Sequence, residues 1–139
     1  MNKTLGKRVC KTNMNIVDAN LILRYLLQDA VQFIEQARDK IENHHIFIPN
    51  EVIAEVVYVL EKVYKVERVN IFDALQNLLT YSNITTHDKS TLIEALKVYS
   101  EIKIDFVDSL LFAYSKIGGH TVFTFDKKLN RMLDELRNA

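Results

Sequence analysis

Short apolar runs alternate along this chain with longer segments of helical periodicity, and this alternation limits the possible folds. The short runs are rich in β-forming residues and span residues 15–17, 45–48, 83–86 and 120–125. The segments with a 3.6-residue period or a helix-forming composition span residues 21–27, 31–42, 51–64, 69–81, 90–100, 105–117 and 127–136. Strands that alternate with helices imply βαβ units and parallel pairing. The sequence therefore predicts an α/β fold, with helices covering a parallel sheet of about four strands.

The length of the chain leaves room for one domain. A chain of 139 residues can bury a core of its own, and a second domain is not expected. Residues 1–13 are polar, lack periodicity and end just before a second methionine, Met14. We therefore expect a flexible N-terminal extension over residues 1–13 and a single domain over residues 14–139.

Composition excludes several classes of protein. No apolar run approaches the roughly 18 residues that a membrane span needs, and no apolar stretch directly follows the basic first residues, as it would in a secretory signal. The single cysteine, Cys10, rules out an internal disulfide and a cysteine-rich zinc site. Equal numbers of basic and acidic residues, 18 each, weigh against tight non-specific binding of nucleic acid, but do not exclude a nuclease. We expect a cytoplasmic protein with no membrane association.

Four acidic residues stand at positions that need an explanation. Asp18 directly follows the first predicted strand and Asp126 the last, so both belong to the carboxyl edge of the sheet, where α/β proteins bind ligands. Asp108 lies in the first turn of a strongly apolar helix, where an unpaired carboxylate is costly to bury. Glu55 lies at the border of the apolar stripe of another helix.

Each acid also has a structural explanation. Asp18 and Asp126 precede helices, and Asp is a favoured N-cap worth about 1 kcal/mol. Asp105 and Asp108 could be an N-cap and a first-turn acid that favours the helix dipole. Glu55 taken alone could be a half-exposed helix acid. Capping does not explain, however, why two caps share one sheet edge while two other acids lie in apolar helices.

Gathered carboxylates require a cation. Two like charges ~4 Å apart repel by roughly 4 kcal/mol at an effective dielectric of about 20. Oxygen-only ligands favour hard ions, which points to Mg²⁺ or Mn²⁺. Carboxylates holding such ions are typical of phosphodiester hydrolysis. The sequence predicts a metal-dependent nuclease with Asp18, Glu55, Asp108 and Asp126 as its metal-binding and catalytic acids.

Four motifs follow one another along the chain: Val17-Asp18 through Leu27, Ile48-Pro49 through Leu60, Asp105 through Leu111, and Thr124-Phe125-Asp126. Together, in this order, they resemble the motifs of PIN-domain nucleases of the VapC toxin type. The similarity runs from Met14 to about Leu133. Residues 1–13 depart from the pattern, and so does the segment Gln28-Asp29-Ala30, which replaces an acidic, proline-containing turn.

The resemblance implies a three-layer α/β/α sandwich and Mg²⁺-dependent cleavage of single-stranded or looped RNA, whether tRNA, mRNA or rRNA. It implies that one or two ions are held by Asp18, Asp108 and Asp126, with Glu55 as a further ligand or as the base that orients the attacking water. Asn20 and Thr124 would support the acids through hydrogen bonds, and Asp105 would be an auxiliary acid. A homodimer and a cognate antitoxin protein are also implied.

Four basic residues lie near the motif ends and are candidates for contacts with the RNA backbone: Arg24, Lys127, Lys128 and Arg131. The alternative is ordinary solvated surface.

Two rival functions stay open. An RNA- or DNA-processing PIN nuclease without an antitoxin would use the same carboxylates. A binding module that retains the fold without catalysis is less consistent with the presence of all four acids. A phosphoryl-accepting protein would require a positioned lysine and a paired acidic start after the first strand, and neither is evident.

Overall fold

The computed structural model of the protein describes residues 14–29 and 31–139, with the backbone alone at Val31. The predicted N-terminal extension lies outside these residues. The elements in chain order are β1 (Asn15–Ile16), α1 (Ala19–Leu27), α2 (Val31–Glu42), β2 (Ile46–Phe47), α3 (Asn50–Lys62), α4 (Arg68–Leu79), β3 (Ile84–Thr85), α5 (Lys89–Glu101), α6 (Phe106–Gly118) and α7 (Lys127–Arg137).

The sheet is short and parallel. Its order in the described part of the chain is β1-β2-β3, with Asn15 opposite Ile46 and Ile46 opposite Ile84. Each strand is two residues long, so helices make up most of the fold. The predicted α/β sandwich with a short parallel sheet is confirmed, with three strands where about four were expected.

The prediction of a fourth strand at residues 120–125 is wrong, because these residues form no strand in the structure. Its last polar groups are engaged with the start of α7: the carbonyl of Thr124 accepts from Asn130 Nδ2 at 2.8 Å, and the Thr124 hydroxyl accepts from the Asp126 N–H at 3.0 Å. Phe123 and Phe125 are 94% and 104% exposed, so the alternating β-forming residues do not bury an apolar face. The two-residue β1 also offers few hydrogen bonds to an added strand.

The core lies between the sheet and the helices packed on it. It takes buried side chains from β2, β3 and helices α1 to α6, and Val17 directly after β1 also belongs to it; its members include Ile22, Ile46, Ile53, Val56, Leu75, Ile84, Leu96, Tyr99 and Ala113. Burying a large aliphatic side chain contributes about 1.5 to 3 kcal/mol. Over the described ranges, no helix combines the length and apolar character required to cross a bilayer.

Arg68, at the start of α4, joins three parts of the chain. Its Nη1 donates to the carbonyls of Tyr99, Ile102 and Ile104 at 3.1, 3.3 and 2.6 Å, and its Nε lies 3.2 Å from Glu61 Oε2. The guanidinium also lies 4.0 Å from the centre of the Tyr99 ring, as a cation–π contact. These carbonyls belong to the end of α5 and to the connection that leads to α6. Arg68 therefore holds the segment from which α6 begins.

Replacing Arg68 by Met should lower the free energy of unfolding by about 2 to 4 kcal/mol, because Glu61 and three carbonyls would lose a mostly buried donor. The measurement is chemical denaturation. Arg38→Met is the matched control: Arg38 pairs with Glu35 on the surface of α2, and its loss should cost less than about 1 kcal/mol. Equal losses in the two variants would contradict this role for Arg68.

Candidate active site

The four helices that carry the predicted acids pack in succession. Helix α1 contacts α3, α3 contacts α6, and α6 contacts α7. Asp18 precedes α1, Asp108 lies in the first turn of α6, and Asp126 precedes α7. Glu55 lies in the second turn of α3. Three of the four acids therefore stand at helix N-termini, where the partial positive charge of the helix favours an anion.

Asp18 is the N-cap of α1. Its Oδ1 accepts a hydrogen bond from the Leu21 N–H at 2.9 Å. The capping explanation is therefore correct for one oxygen of this carboxylate, but the exposed side chain has a second oxygen that the cap does not use. The cap fixes the orientation of that second oxygen. Asn20 is exposed beside Asp18, and no hydrogen bond joins the Asn20 side chain to an acid of the set among the described residues.

Asp126 has the same arrangement at α7. Its Oδ1 accepts from the Leu129 N–H at 2.7 Å, and its own N–H donates to the Thr124 hydroxyl at 3.0 Å. Thr124 thus contacts the backbone of Asp126, while the carboxylate keeps one oxygen outside the cap. The local geometry orients a carboxylate that remains exposed.

Asp108 is the acid whose surroundings most disfavour its charge. Partial burial raises the pKa of its carboxyl, and the negative charges of Asp126 and Asp105 raise it further. Asp105 occupies the N-cap position of α6, but its side chain makes no capping hydrogen bond. The structure therefore brings Asp105 and Asp126 within electrostatic range of Asp108.

No basic side chain of the described residues forms an ion pair with a candidate acid. The five ion pairs within residues 14–29 and 31–139 use the carboxylates of Asp29, Glu35, Glu61, Glu94 and Asp134. Glu55, which is exposed on α3, is likewise outside every pair in that part of the chain. A carboxylate without a basic partner keeps its oxygens available as ligands for a metal ion.

The donor chemistry fits a hard divalent cation, because every candidate ligand is a carboxylate oxygen. In the part of the chain that the structure describes, however, no three acidic, His or Cys side chains are grouped closely enough to hold one ion. The charge of Asp126 raises the pKa of Asp108, whereas Asp18 is not among the groups that shift the Asp108 pKa. Of the four predicted acids, the structure thus relates Asp126 to Asp108 and does not relate Asp18 to them.

The predicted basic residues lie in two places. Arg24 is on α1, where Asp29 lies 2.6 Å away and raises the pKa of its guanidinium. Lys127, Lys128 and Arg131 are exposed on α7, and Lys128 Nζ donates to the Lys103 carbonyl at 3.0 Å. Lys128 is therefore held near the connection that leads to Asp105 and Asp108.

A cavity of about 620 Å³ opens next to Asp18, and sequence reasoning missed most of its lining. Helix α2 contributes Phe33, Gln36, Ala37 and Lys40 to one side, and α1 contributes the other. The spacing i, i+3, i+4, i+7 on α2 is a signal that could have identified this face. The prediction of a polar helix at residues 31–42 does not by itself show that Phe33, Gln36 and Lys40 share one face of α2.

Comparison with known proteins identifies the family of the chain. The PIN domain family matches residues 16–134, a range that includes all four candidate acids. A VapC ribonuclease from Aquifex aeolicus (strain VF5) is 30% identical over 124 residues, which cover 86% of this chain and 92% of that protein. No solved structure matches the chain. The resemblance to VapC-type proteins is confirmed, and the chain belongs to the PIN-domain family.

Proposed function

We propose that this chain is an endoribonuclease that hydrolyses RNA phosphodiester bonds with Mg²⁺ or Mn²⁺ held by Asp18, Glu55, Asp108 and Asp126. The observation that carries the proposal is that the partly buried Asp108 lies within electrostatic range of Asp126 and Asp105, where α6 and α7 begin. The similarity to a protein named as a VapC ribonuclease supports RNA as the substrate. A divalent cation bound there supplies polarisation of the scissile phosphate and stabilisation of charge on the leaving oxygen.

The chain's own residues have separate roles in this proposal. The caps of α1 and α7 each use one oxygen of Asp18 and Asp126 and leave the other pre-oriented for a ligand. Glu55, exposed and unpaired among the described residues, is a further ligand or accepts the proton of the attacking water. Asp105 and Thr124 are positioning residues: Asp105 adds negative charge beside Asp108, and Thr124 holds the backbone of Asp126. Asn20, exposed next to Asp18, is proposed to hydrogen-bond its carboxylate when ligand is bound.

The basic residues of α1 and α7 are proposed to hold the RNA backbone. Lys128 is fixed beside the start of α6, and Lys127 and Arg131 extend from the same exposed helix. Arg24 lies in the cavity next to Asp18. Cations on both sides of the carboxylates would neutralise the phosphates that flank the cut. Because the protein has no net charge, its overall electric field does not attract RNA, and these local cations would have to do so.

We further propose that the protein is the toxin of a toxin–antitoxin pair in the cytoplasm. The support is its similarity to a VapC protein across 92% of that protein's length. A cognate antitoxin would then block the carboxylate site, and the toxin would act as a homodimer. Exposed apolar side chains near the junction of α3 and α4, Tyr58, Val63 and Val69, are compatible with a protein interface there.

Substitution of the N-cap residues Asp18 and Asp126 by asparagine removes the negative charge of each side chain and keeps its hydrogen bond to the helix. Asn caps a helix about as well as Asp, so Asp18→Asn and Asp126→Asn should keep the melting temperature. The same variants, and Asp108→Asn, should lose cleavage of a labelled tRNA and mRNA pool by about 100-fold or more, because each removes a carboxylate from the set. EDTA should abolish discrete cuts by the unaltered protein.

Asp88→Asn is the matched control for these variants. Asp88 caps α5 by accepting from the Ser90 and Thr91 N–H groups and is outside the carboxylate set. Its variant should cleave at the normal rate. Cleavage that persists in EDTA, or full activity in Asp108→Asn, would show that the site is assigned wrongly. Complete inactivity of folded, antitoxin-free protein would favour the binding module.

The raised pKa of Asp108 predicts a stability change of defined sign. The folded protein holds the Asp108 proton more tightly than the unfolded chain does. Below about pH 4, the pKa of an unfolded Asp, the group is protonated in both states and its ionisation has no effect on stability. Above the folded pKa the group is ionised in both states, and its charge destabilises the fold. In EDTA, Asp108→Asn should therefore melt at a higher temperature than the unaltered protein at pH 7, and this gain should shrink towards about pH 4.

The control for this measurement is Asp73→Asn, on the exposed side of α4, which should show no such gain. A lower melting temperature for Asp108→Asn at pH 7, or a gain of equal size at both pH values, would contradict the electrostatic account of Asp108.

A further inference from the structure

The cavity between α1 and α2 carries features of a binding site beyond the carboxylates. It has a volume of about 620 Å³, within the range of about 300 to 1,000 Å³ that is usual for small-ligand pockets. Asp18 lies at its border together with Leu21 of α1. The cavity therefore adjoins the proposed site of phosphodiester cleavage.

An exposed aromatic side chain lines the α2 side of this cavity. Phe33 is 45% exposed, although Ala37, one turn further along the same face, is 4% exposed. A half-exposed ring on the wall of a cavity offers a flat apolar surface on which a planar ligand can stack. Gln36, next on this face, has an amide that can donate and accept hydrogen bonds. A flat ring and an adjacent amide suit a heteroaromatic ligand.

Two cations complete the lining. Lys40 and Arg24 both border the cavity, with Lys40 on α2 and Arg24 on α1. Arg24 is paired with Asp29, whereas Lys40 forms no ion pair with any residue of the ranges 14–29 and 31–139. Lys40 also borders a second cavity, of about 520 Å³, that reaches Asp18 from the β1 side. An ammonium group in this position suits a phosphate next to the base.

We propose that this cavity binds one nucleobase of the RNA substrate, next to the phosphate that is cleaved. Phe33 stacks on the base, Gln36 reads its hydrogen-bonding edge, and Lys40 holds the adjoining backbone phosphate. This inference deepens the proposed nuclease function and rests on it. Aromatic stacking combined with cations along the backbone is the usual way in which proteins bind single-stranded nucleic acid.

The charge of the lining favours a nucleotide over a peptide as the occupant. An apolar peptide segment would need a continuous apolar groove, but Gln36, Lys40 and Arg24 interrupt the apolar surface of Phe33 and Leu21. A single base with its phosphate uses the ring, the amide and the cation together. The cavity would therefore determine which base stands next to the cut.

The test compares Phe33→Ala, Phe33→Tyr and Gln36→Ala with the control Gln32→Ala, which changes an exposed glutamine of α2 outside the cavity. Cut sites in a total RNA pool are mapped by sequencing the new ends, and kcat and KM are measured on one cleaved oligonucleotide. Phe33→Ala should raise KM by about 5- to 100-fold with a smaller change in kcat, and Phe33→Tyr should stay close to the unaltered enzyme.

Gln36→Ala should weaken the base preference at one position beside the cut, and Gln32→Ala should change nothing. A second measurement does not depend on cleavage: single-stranded RNA containing one 2-aminopurine is titrated with the full chain carrying Asp126→Asn. Stacking on Phe33 should quench the fluorescence, and adding Phe33→Ala should restore it.

The two measurements separate failure of this inference from failure of the proposed function. If the unaltered protein cleaves RNA but Phe33→Ala keeps its KM, its cut sites and the quenching, the nucleobase site is overturned and the exposed ring belongs to a protein contact. If the protein cleaves no RNA but quenching depends on Phe33, the base site stands and the nuclease function fails. If there is neither cleavage nor quenching that depends on Phe33, both are overturned.

Discussion

Negative charge around the partly buried Asp108, at the junction of α6 and α7, is the physical constraint on which the candidate site depends. Asp108 is partly buried beside Asp105 and Asp126, its pKa is raised, and none of the three forms an ion pair with a residue in the described ranges. A fold maintains such a group only where something offsets the repulsion. The helix N-termini supply part of that compensation through their dipoles, and a divalent cation would supply the rest.

The scaffold explains how so small a sheet can support a site of this kind. Strands of two residues set the parallel order, but the position of each acid is determined mainly by a helix: caps orient Asp18 and Asp126, and the packing of α6 places Asp108. Arg68 also helps to position the acids of α6, because its hydrogen bonds to three carbonyls fix the segment that leads to Asp105. The site is thus built from helix ends held in place by side-chain hydrogen bonds to the backbone.

Local sequence signals predicted the parts of the molecule that local forces determine. The polar helix predicted at residues 31–42 and the helix predicted at residues 105–117 match α2 and α6 within one residue at either end, and Gly119, at a φ of 73°, ends α6 as a glycine can. The predicted fourth strand failed because β-forming composition at residues 120–125 does not ensure a partner. There the start of α7 engages the Thr124 groups, and Phe123 and Phe125 stay exposed. Pairing of strands, and the position of α1 opposite the α2 face that carries Phe33 and Lys40, depend on contacts between distant segments, which periodicity does not encode.

Binding of Mn²⁺ to the RNA-free protein, followed by electron paramagnetic resonance of the free ion, tests the central claim most directly because it requires no knowledge of the substrate. The account predicts one or two saturable sites per chain in the unaltered protein and affinity weakened about tenfold or more in Asp108→Asn, with the Asp88→Asn control unchanged. Absence of saturable binding, or equal affinity in all three proteins, would contradict the assignment of these carboxylates as a metal site.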